Sequence, residues 1–300
     1  MNVTILGNNS ALPAYGRNPT AQVVSVYGEN IMLDCGEGAQ LQMQIHGVKW
    51  SKLTHIFISH MHGDHYFGLP GLINSMSLLG RQAPLHLCGP APIMPMMQQI
   101  IELAGAPLCY PLHFTPLPEG AGVVADTELF KVTCFPVEHR IACHGFLIES
   151  KNRGRKILPV PCRDYEIPRY YYDKLKAGED YERKDGTVIK NELLTTDGPP
   201  IKKYAYCADT RYTESILQYI EGADTIYHES TYLHADAEKA AARYHSTPVQ
   251  AAMIAKKANA RQLLLGHYSS RYRDLAPFRE EARTVFPNTL VTIEGSIYDV

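Results

Sequence analysis

The chain lacks any apolar run approaching the roughly 20 residues that cross a bilayer, so no membrane-spanning helix is expected. Its first residues, Met1-Asn2-Val3-Thr4-Ile5-Leu6-Gly7, hold no basic stretch and no cleavage site and run straight into a strand pattern; no secretory signal is expected. Paired cysteines are lacking too. The seven present (Cys35, Cys88, Cys109, Cys134, Cys143, Cys162 and Cys207) are odd in number and scattered, without a CxxC. That excludes a small disulfide scaffold and reads as reduced, buried thiols in a cytoplasmic protein. A net charge of −2 excludes an overall basic field, so any attraction to a polyanion would come from a local patch. The absence of a repeat of roughly 20–50 residues excludes a solenoid.

What is present is an ordinary globular composition. The 300 residues are 45% hydrophobic and 20% charged, which gives ample core. Short β-rich runs fall at 3–6, 21–26, 31–33, 55–59, 85–88, 131–135, 145–148, 204–207, 225–227, 262–265 and 290–293. Helical patterns lie at 37–47, 69–79, 92–104, 213–221, 247–258 and 276–285, and the alternation predicts an α/β protein with helices covering its sheets. We read 1–300 as one domain carrying an insertion at about 151–203, which is polar, tyrosine-rich (Tyr170-Tyr171-Tyr172) and punctuated by prolines (Pro199-Pro200). Its first part carries Lys151, Arg153, Arg155 and Lys156 without an acidic residue, which suits an RNA backbone with bases stacked on nearby rings. A solvated insertion whose tyrosines pack on the fold accounts for it equally well.

The most specific feature is Ser59-His60-Met61-His62-Gly63-Asp64-His65, four potential metal ligands directly after the apolar Ile56-Phe57-Ile58. Imidazole and carboxylate suit zinc and related divalent ions, and a loop leaving a buried strand can turn several side chains toward one point. Three more candidates each follow an apolar run: His139, Asp209 and His267. Together they meet the needs of two metals. His60, His62 and His139 would hold one ion and Asp64, His65 and His267 the other, with Asp209 bridging. A surface cluster of histidines is the plain alternative, but the HxHxDH order is far more specific than His-x-His alone.

HxHxDH followed by separate His, Asp and His positions resembles the metallo-β-lactamase superfamily. The chain also carries Leu33-Asp34-Cys35-Gly36-Glu37-Gly38, Tyr66-Phe67-Gly68-Leu69-Pro70-Gly71-Leu72, Val137-Glu138-His139 and Ala208-Asp209-Thr210. It continues with His228-Glu229-Ser230-Thr231, His245-Ser246-Thr247 and Gly266-His267-Tyr268-Ser269-Ser270-Arg271-Tyr272. In this order these motifs resemble the ribonuclease Z (tRNase Z) family, endonucleases that remove the 3′ trailer of precursor tRNA.

The resemblance implies a four-layer αβ/βα sandwich with a short protruding arm, metals at one edge of the sheets, two zinc ions per chain and a homodimer acting on precursor tRNA. It assigns Asp64 as both ligand and base, His245 as proton donor to the leaving oxygen, and Glu229 as the group that orients His245. Asp34 and Glu37 would support the metal loop. Arg271 would contact phosphate or pack on its tyrosines, and Ser246 or Thr247 would cap the helix at 247–258. Lys174 and Lys176 match the family's tRNA-clamping arm, but its Gly-Pro pair is absent from Glu166-Ile167-Pro168-Arg169-Tyr170-Tyr171-Tyr172-Asp173-Lys174-Leu175-Lys176-Ala177-Gly178. Ala208 stands where the family often has glycine. Hydrolases of small phosphodiesters, thioesters, lactones or sulfate esters in the same superfamily share the metal shell and form the alternative. A non-catalytic RNA-binding protein is disfavoured because every ligand is present. His46, His55, His86, His113, His144 and His234 have no ligand spacing, and His228 is left undecided.

Overall fold

A computed structural model of the protein describes residues 1–105 and 107–300. The chain divides into two compact units, Met1–Glu149 with Lys203–Val300, and Ser150–Lys202. The first contains the strands β1 (Asn2–Gly7), β2 (Ala21–Val26), β3 (Glu29–Cys35), β4 (Leu53–Phe57), β5 (Leu85–Gly89), β6 (Leu112–Pro116) and β7 (Gly122–Asp126). Then follow β8 (Phe130–Pro136), β9 (His144–Ser150), β10 (Lys203–Cys207), β11 (Thr225–Glu229), β12 (Gln262–Gly266), β13 (Thr289–Val291) and β14 (Ile297–Asp299). They form two seven-stranded sheets, ordered β14-β1-β2-β3-β4-β5-β6 and β13-β12-β11-β10-β9-β8-β7. In each sheet the site-bearing strands run parallel: β3 to β6 in the first and β10 to β13 in the second.

Both faces of each sheet are covered, so the strands read as continuous apolar runs rather than alternating ones. Leu263-Leu264-Leu265 illustrates the division. Leu264 enters the core between the sheets with Val24, Ile31, Phe57, Phe146 and Tyr206. Leu263 and Leu265 point the other way, to the helices Pro248–Lys257 and Ala276–Arg283 through Ala251, Ile254, Ala255 and Phe278. The first sheet is covered likewise by Ala39–Ile45, Leu69–Leu78 and Ile93–Leu103 through Met43, Leu72, Ile73, Met76, Ile93 and Met97. Each such buried side chain contributes about 1.5–3 kcal/mol. This is the four-layer sandwich that the motifs implied.

Helix Pro248–Lys257 is capped by Thr247, whose hydroxyl accepts from Gln250 N while its own N–H donates to Gln250 Oε1 at 3.0 Å, a reciprocal capping box. Ser246 is not the cap; it donates to the Thr210 carbonyl at 2.7 Å. Three of these strands went unforeseen, β6, β7 and β14, each at an outer edge of its sheet. Much of their length stays exposed, so they carry little apolar signal. The helix expected at 213–221 is confined to Leu217–Ile220, because the Thr213 hydroxyl accepts from Ser215 N at 3.3 Å and so offers the backbone a local alternative to the helix. Cys109 departs from the expectation of buried thiols: it is exposed, while the other six cysteines are buried. Among the described residues no helix is long and apolar enough to cross a membrane.

The second unit has its own small core of Cys162, Ile167, Leu175, Ile189 and Leu194, flanked by Tyr171, Tyr172 and Tyr181. Two short strand pairs stitch it, Lys156–Ile157 with Thr195–Thr196 and Tyr181–Glu182 with Val188–Ile189. Most of its tyrosines therefore pack internally, and Tyr170 is the one left largely in solvent, at 82% exposure. Lys174 and Lys176 lie on its surface, paired with Glu179 at 3.7 Å and Asp173 at 3.0 Å.

Candidate metal centre

The centre is built where the parallel strands end. His60 to His65 follow β4, Asp209 follows β10, Glu229 closes β11 and His267 follows β12. Strand register brings them level: Cys207 pairs with His228 and Glu229 with Gly266. Crevices beyond the carboxyl ends of parallel strands are the usual ligand sites of such sheets.

Asp34 is the post on which the metal loop hangs. It is fully buried at the end of β3, with a positive φ of 55° that costs a non-glycine residue about 1–3 kcal/mol. Its Oδ1 accepts from Ser59 N at 2.7 Å. Its Oδ2 accepts from Ser59 Oγ at 2.9 Å, His65 Nδ1 at 2.7 Å and Tyr206 Oη at 2.6 Å. The turn beside it tolerates no side chains: a Cβ on Gly36 would sit 2.5 Å from the Asp64 carbonyl, and one on Gly68 only 2.2 Å from the Gly36 carbonyl. Asp34→Ala is expected to weaken metal retention by about 10–100-fold. Competition with a graded chelator measures it, and retention within twofold of the parent would refute this supporting role.

Among the described residues three donor groups result: two match the expected ligand sets, and a third, Asp209, Glu229, His245 and His267, overlaps them through Asp209 and His267. The first joins His60 Nε2, His62 Nδ1, His139 Nε2 and Asp209 Oδ2: the nitrogens of His60 and His139 lie 3.0 and 3.1 Å from that of His62, and each lies 3.8 Å from Asp209. The second joins Asp64 Oδ2, His65 Nε2 and His267 Nε2, with the two imidazoles 3.3 Å apart. Asp209 Oδ1 faces this second cluster, 3.1 Å from His267 and 3.4 Å from His65. Each carboxylate oxygen of Asp209 thus addresses one cluster.

The hydrogen-bond network assigns the ring tautomers. Ser59 gives its proton to Asp34, so its oxygen accepts from His60 Nδ1 at 2.9 Å. Thr231 gives its proton to Glu229 at 2.8 Å and accepts from His267 Nδ1 at 2.9 Å. His65 donates through Nδ1 to Asp34, and His139 to the Tyr244 carbonyl at 3.1 Å. In their neutral form all four rings therefore present Nε2 lone pairs to the centre, the form a metal requires. Burial holds the His60 imidazole well below its ordinary range and lowers His62 and His139 as well. His65 goes the other way: burial would lower it, but Asp209, Asp64 and Asp34 surround it and raise it. Asp209 Oδ1 is buried and finds no hydrogen-bond donor. Bare nitrogens facing an unpartnered buried carboxylate oxygen fit divalent cations.

Beside the clusters, Glu229 is fully buried and accepts from Thr210 N and Thr231 N, both at 3.0 Å, and from His245 Nδ1 at 2.8 Å. Burial works against a charged His245, but the pull of Glu229 and the hydrogen bond to it prevail and raise the imidazole to about 9. His245, Asp64, Asp209, His62, Glu37, Phe67 and Arg140 line a cleft of about 430 Å³.

Arg271 sits with its guanidinium 5.7 Å from the Tyr232 ring centroid and 3.5 Å from Asp236, the packed arrangement. His144 and His228 are buried but join neither cluster; His228 Nδ1 meets the Glu229 carbonyl at 2.7 Å. His55, His86 and His113 stack on one another along β4, β5 and β6. Three residues escaped the sequence reading. Thr231 was read only as part of a motif, Tyr206 only as strand, and Arg140, next to His139, went unremarked.

A family model described as Anti-Pycsar protein Apyc1 matches residues 1–99, the part that carries β1 to β5 and the His60-to-His65 loop. Ribonuclease Z of Parabacteroides distasonis is 41% identical over 98% of this chain and 97% of its own length. Ribonuclease Z of Porphyromonas gingivalis is 40% identical over 99% of this chain and 98% of its own. Among solved structures, the short form of human tRNase Z superposes with a TM-score of 0.72 at 26% identity, covering 100% of this chain and 99% of that one. YhfI from Bacillus subtilis, a metallo-β-lactamase fold protein, matches with a TM-score of 0.70 at 19% identity over 99% of both chains and shares the fold. With relatives this similar along nearly its whole length, the chain belongs to the ribonuclease Z family.

Proposed function

We propose that this protein is a metal-dependent endoribonuclease that removes the 3′ trailer of precursor tRNA, acting in the cytoplasm as a homodimer with two zinc ions per chain. The observation that carries the reading is the pair of donor clusters sharing Asp209 beside the Glu229–His245 pair, in a chain of the ribonuclease Z family. His60, His62, His139 and Asp209 would hold one ion, and Asp64, His65, His267 and Asp209 the other. A purely imidazole and carboxylate donor set suits zinc. Two such ions neutralise charge on a phosphodiester under in-line attack and make water acidic enough to ionise near neutral pH.

The remaining work falls to the chain itself. Asp64, held by the Ala11 N–H at 2.7 Å, is placed to accept a proton from the attacking water. His245 commits Nδ1–H to Glu229 and keeps Nε2–H for the departing 5′-oxygen, so that the upstream RNA leaves with a 3′-hydroxyl. Glu229, satisfied by two backbone N–H groups, fixes the ring and stabilises its charged form. Lys174 and Lys176 are assigned to substrate contact on the strength of the family motifs.

Incubation of the purified protein with a precursor tRNA bearing a 3′ trailer tests this. A single cut next to the mature 3′ end is expected, leaving a 3′-hydroxyl, lost on chelation and restored by zinc. No cut by protein holding two metals per chain would overturn the reading. Turnover of a small phosphodiester or a thioester instead would then move the superfamily-hydrolase alternative to first place.

A further inference from the structure

Among the residues lining the catalytic cleft, Arg140 is the one permanent cation and Phe67 the one phenylalanine, tyrosine or tryptophan ring. Both are anomalous as structural residues. Phe67 keeps 62% of its surface exposed although it is a large apolar ring in a chain with ample core. It is nevertheless held in place. A Cβ on Gly63 would fall 2.2 Å from its ring, and the Tyr66 ring meets it edge-on with centroids 4.9 Å apart. Gly63 lies between His62 and Asp64, so the plate formed by Phe67 rests directly on the metal loop.

Arg140 follows His139, is exposed, and has no hydrogen bond or ion pair among the described residues. It lines the same cleft as His62 and His245. With no carboxylate paired to it among the described residues, this guanidinium is free to take the phosphate of a strand lying in the cleft. The two side chains thus offer an aromatic face and an anion site around one scissile position, the two elements by which single-stranded RNA is held without reading sequence.

We infer that Phe67 and Arg140 form a nucleotide subsite, in which Phe67 stacks the base of a nucleotide flanking the scissile phosphate and Arg140 pairs with a backbone phosphate of the same strand. The subsite rests on the endoribonuclease reading. It positions the strand and takes no part in proton transfer. Because stacking accepts any base, it holds the single-stranded end of a precursor whatever the trailer sequence.

The test uses the metal-loaded protein, a precursor tRNA, and two further precursors made abasic at the nucleotide on either side of the cut. Phe67→Ala is expected to raise KM about tenfold, in line with one lost base stack, and Phe67→Tyr to restore it. One of the abasic precursors should cost the parent a similar factor and cost Phe67→Ala nothing further. Arg140→Gln should flatten the slope of log KM against log salt by about 0.7, the value for one phosphate contact on a single strand, while Arg140→Lys preserves the slope. If Phe67→Ala loses the same factor as the parent on both abasic precursors, or Arg140→Gln leaves the slope unchanged, the subsite is overturned while the proposed activity stands. A parent that cuts none of the precursors overturns both.

Discussion

Asp209→Ala is expected to lower precursor cleavage by about 10³-fold or more, on the order of 4 kcal/mol of transition-state stabilisation, and to reduce bound metal below two ions per chain. Asp209 is 2% exposed, and its two oxygens face different clusters, Oδ1 at 3.1 Å from His267 and Oδ2 at 3.8 Å from both His60 and His139. Removing it leaves two three-donor sets with no shared carboxylate, and leaves His65 with only Asp64 and Asp34 to balance it. A merely structural Asp209 would behave differently: Asp209→Asn would keep the shape and hence the function. Two metals retained and activity within tenfold of the parent, in either variant, would refute the bridging assignment. Metal content by mass spectrometry and cleavage rates are the two readouts.

His245→Ala is expected to leave the metal content unchanged and to slow precursor cleavage by about 10²–10⁴-fold, the range of a lost general acid. His245 touches Glu229 and Thr231 and belongs to neither of the clusters assigned to the ions. The decisive comparison is with an aryl phosphodiester whose phenolate leaves without being protonated. Its turnover should fall far less than that of the precursor, because the missing proton is not needed there. An equal loss on both substrates, or loss of metal from the variant, would make His245 a structural residue of the centre instead. Glu229→Gln should show the same pattern more mildly, since the ring keeps a neighbour but loses the charge that raises it.

Much of this centre was legible beforehand because metal ligation is written in residue type. His60, His62, Asp64 and His65 occupy one loop after one apolar strand, and no common structural motif demands that order. Asp209 and His267 stood at the ends of apolar runs, where parallel strands deliver functional groups. The helix at 248–257 was legible from its periodicity and from Ser246-Thr247-Pro248 at its start, though only the structure chose Thr247 as the cap. The outer strands β6, β7 and β14 were not, because an edge strand buries too little to leave an apolar pattern. The short helix 217–220 was overestimated because periodicity cannot see the Thr213 hydroxyl taking the Ser215 N–H.

The sequence by itself determined the candidate donors, the covered-sheet architecture and the family, since each depends on side-chain chemistry or spacing within a few residues. Only the tertiary structure decided how those donors are aimed. That Asp34 sits beneath His65 rather than in the cleft depends on contacts with Ser59 and with Tyr206, 172 positions away. That Thr231 serves His267 and Glu229 at once follows from the register of β11 against β12. That Phe67 and Arg140 face one cleft follows from the packing of one sheet on the other. A residue's chemistry is fixed when it is incorporated, but the orientation of a lone pair is set by whichever partner the folded chain brings to the opposite side of the ring.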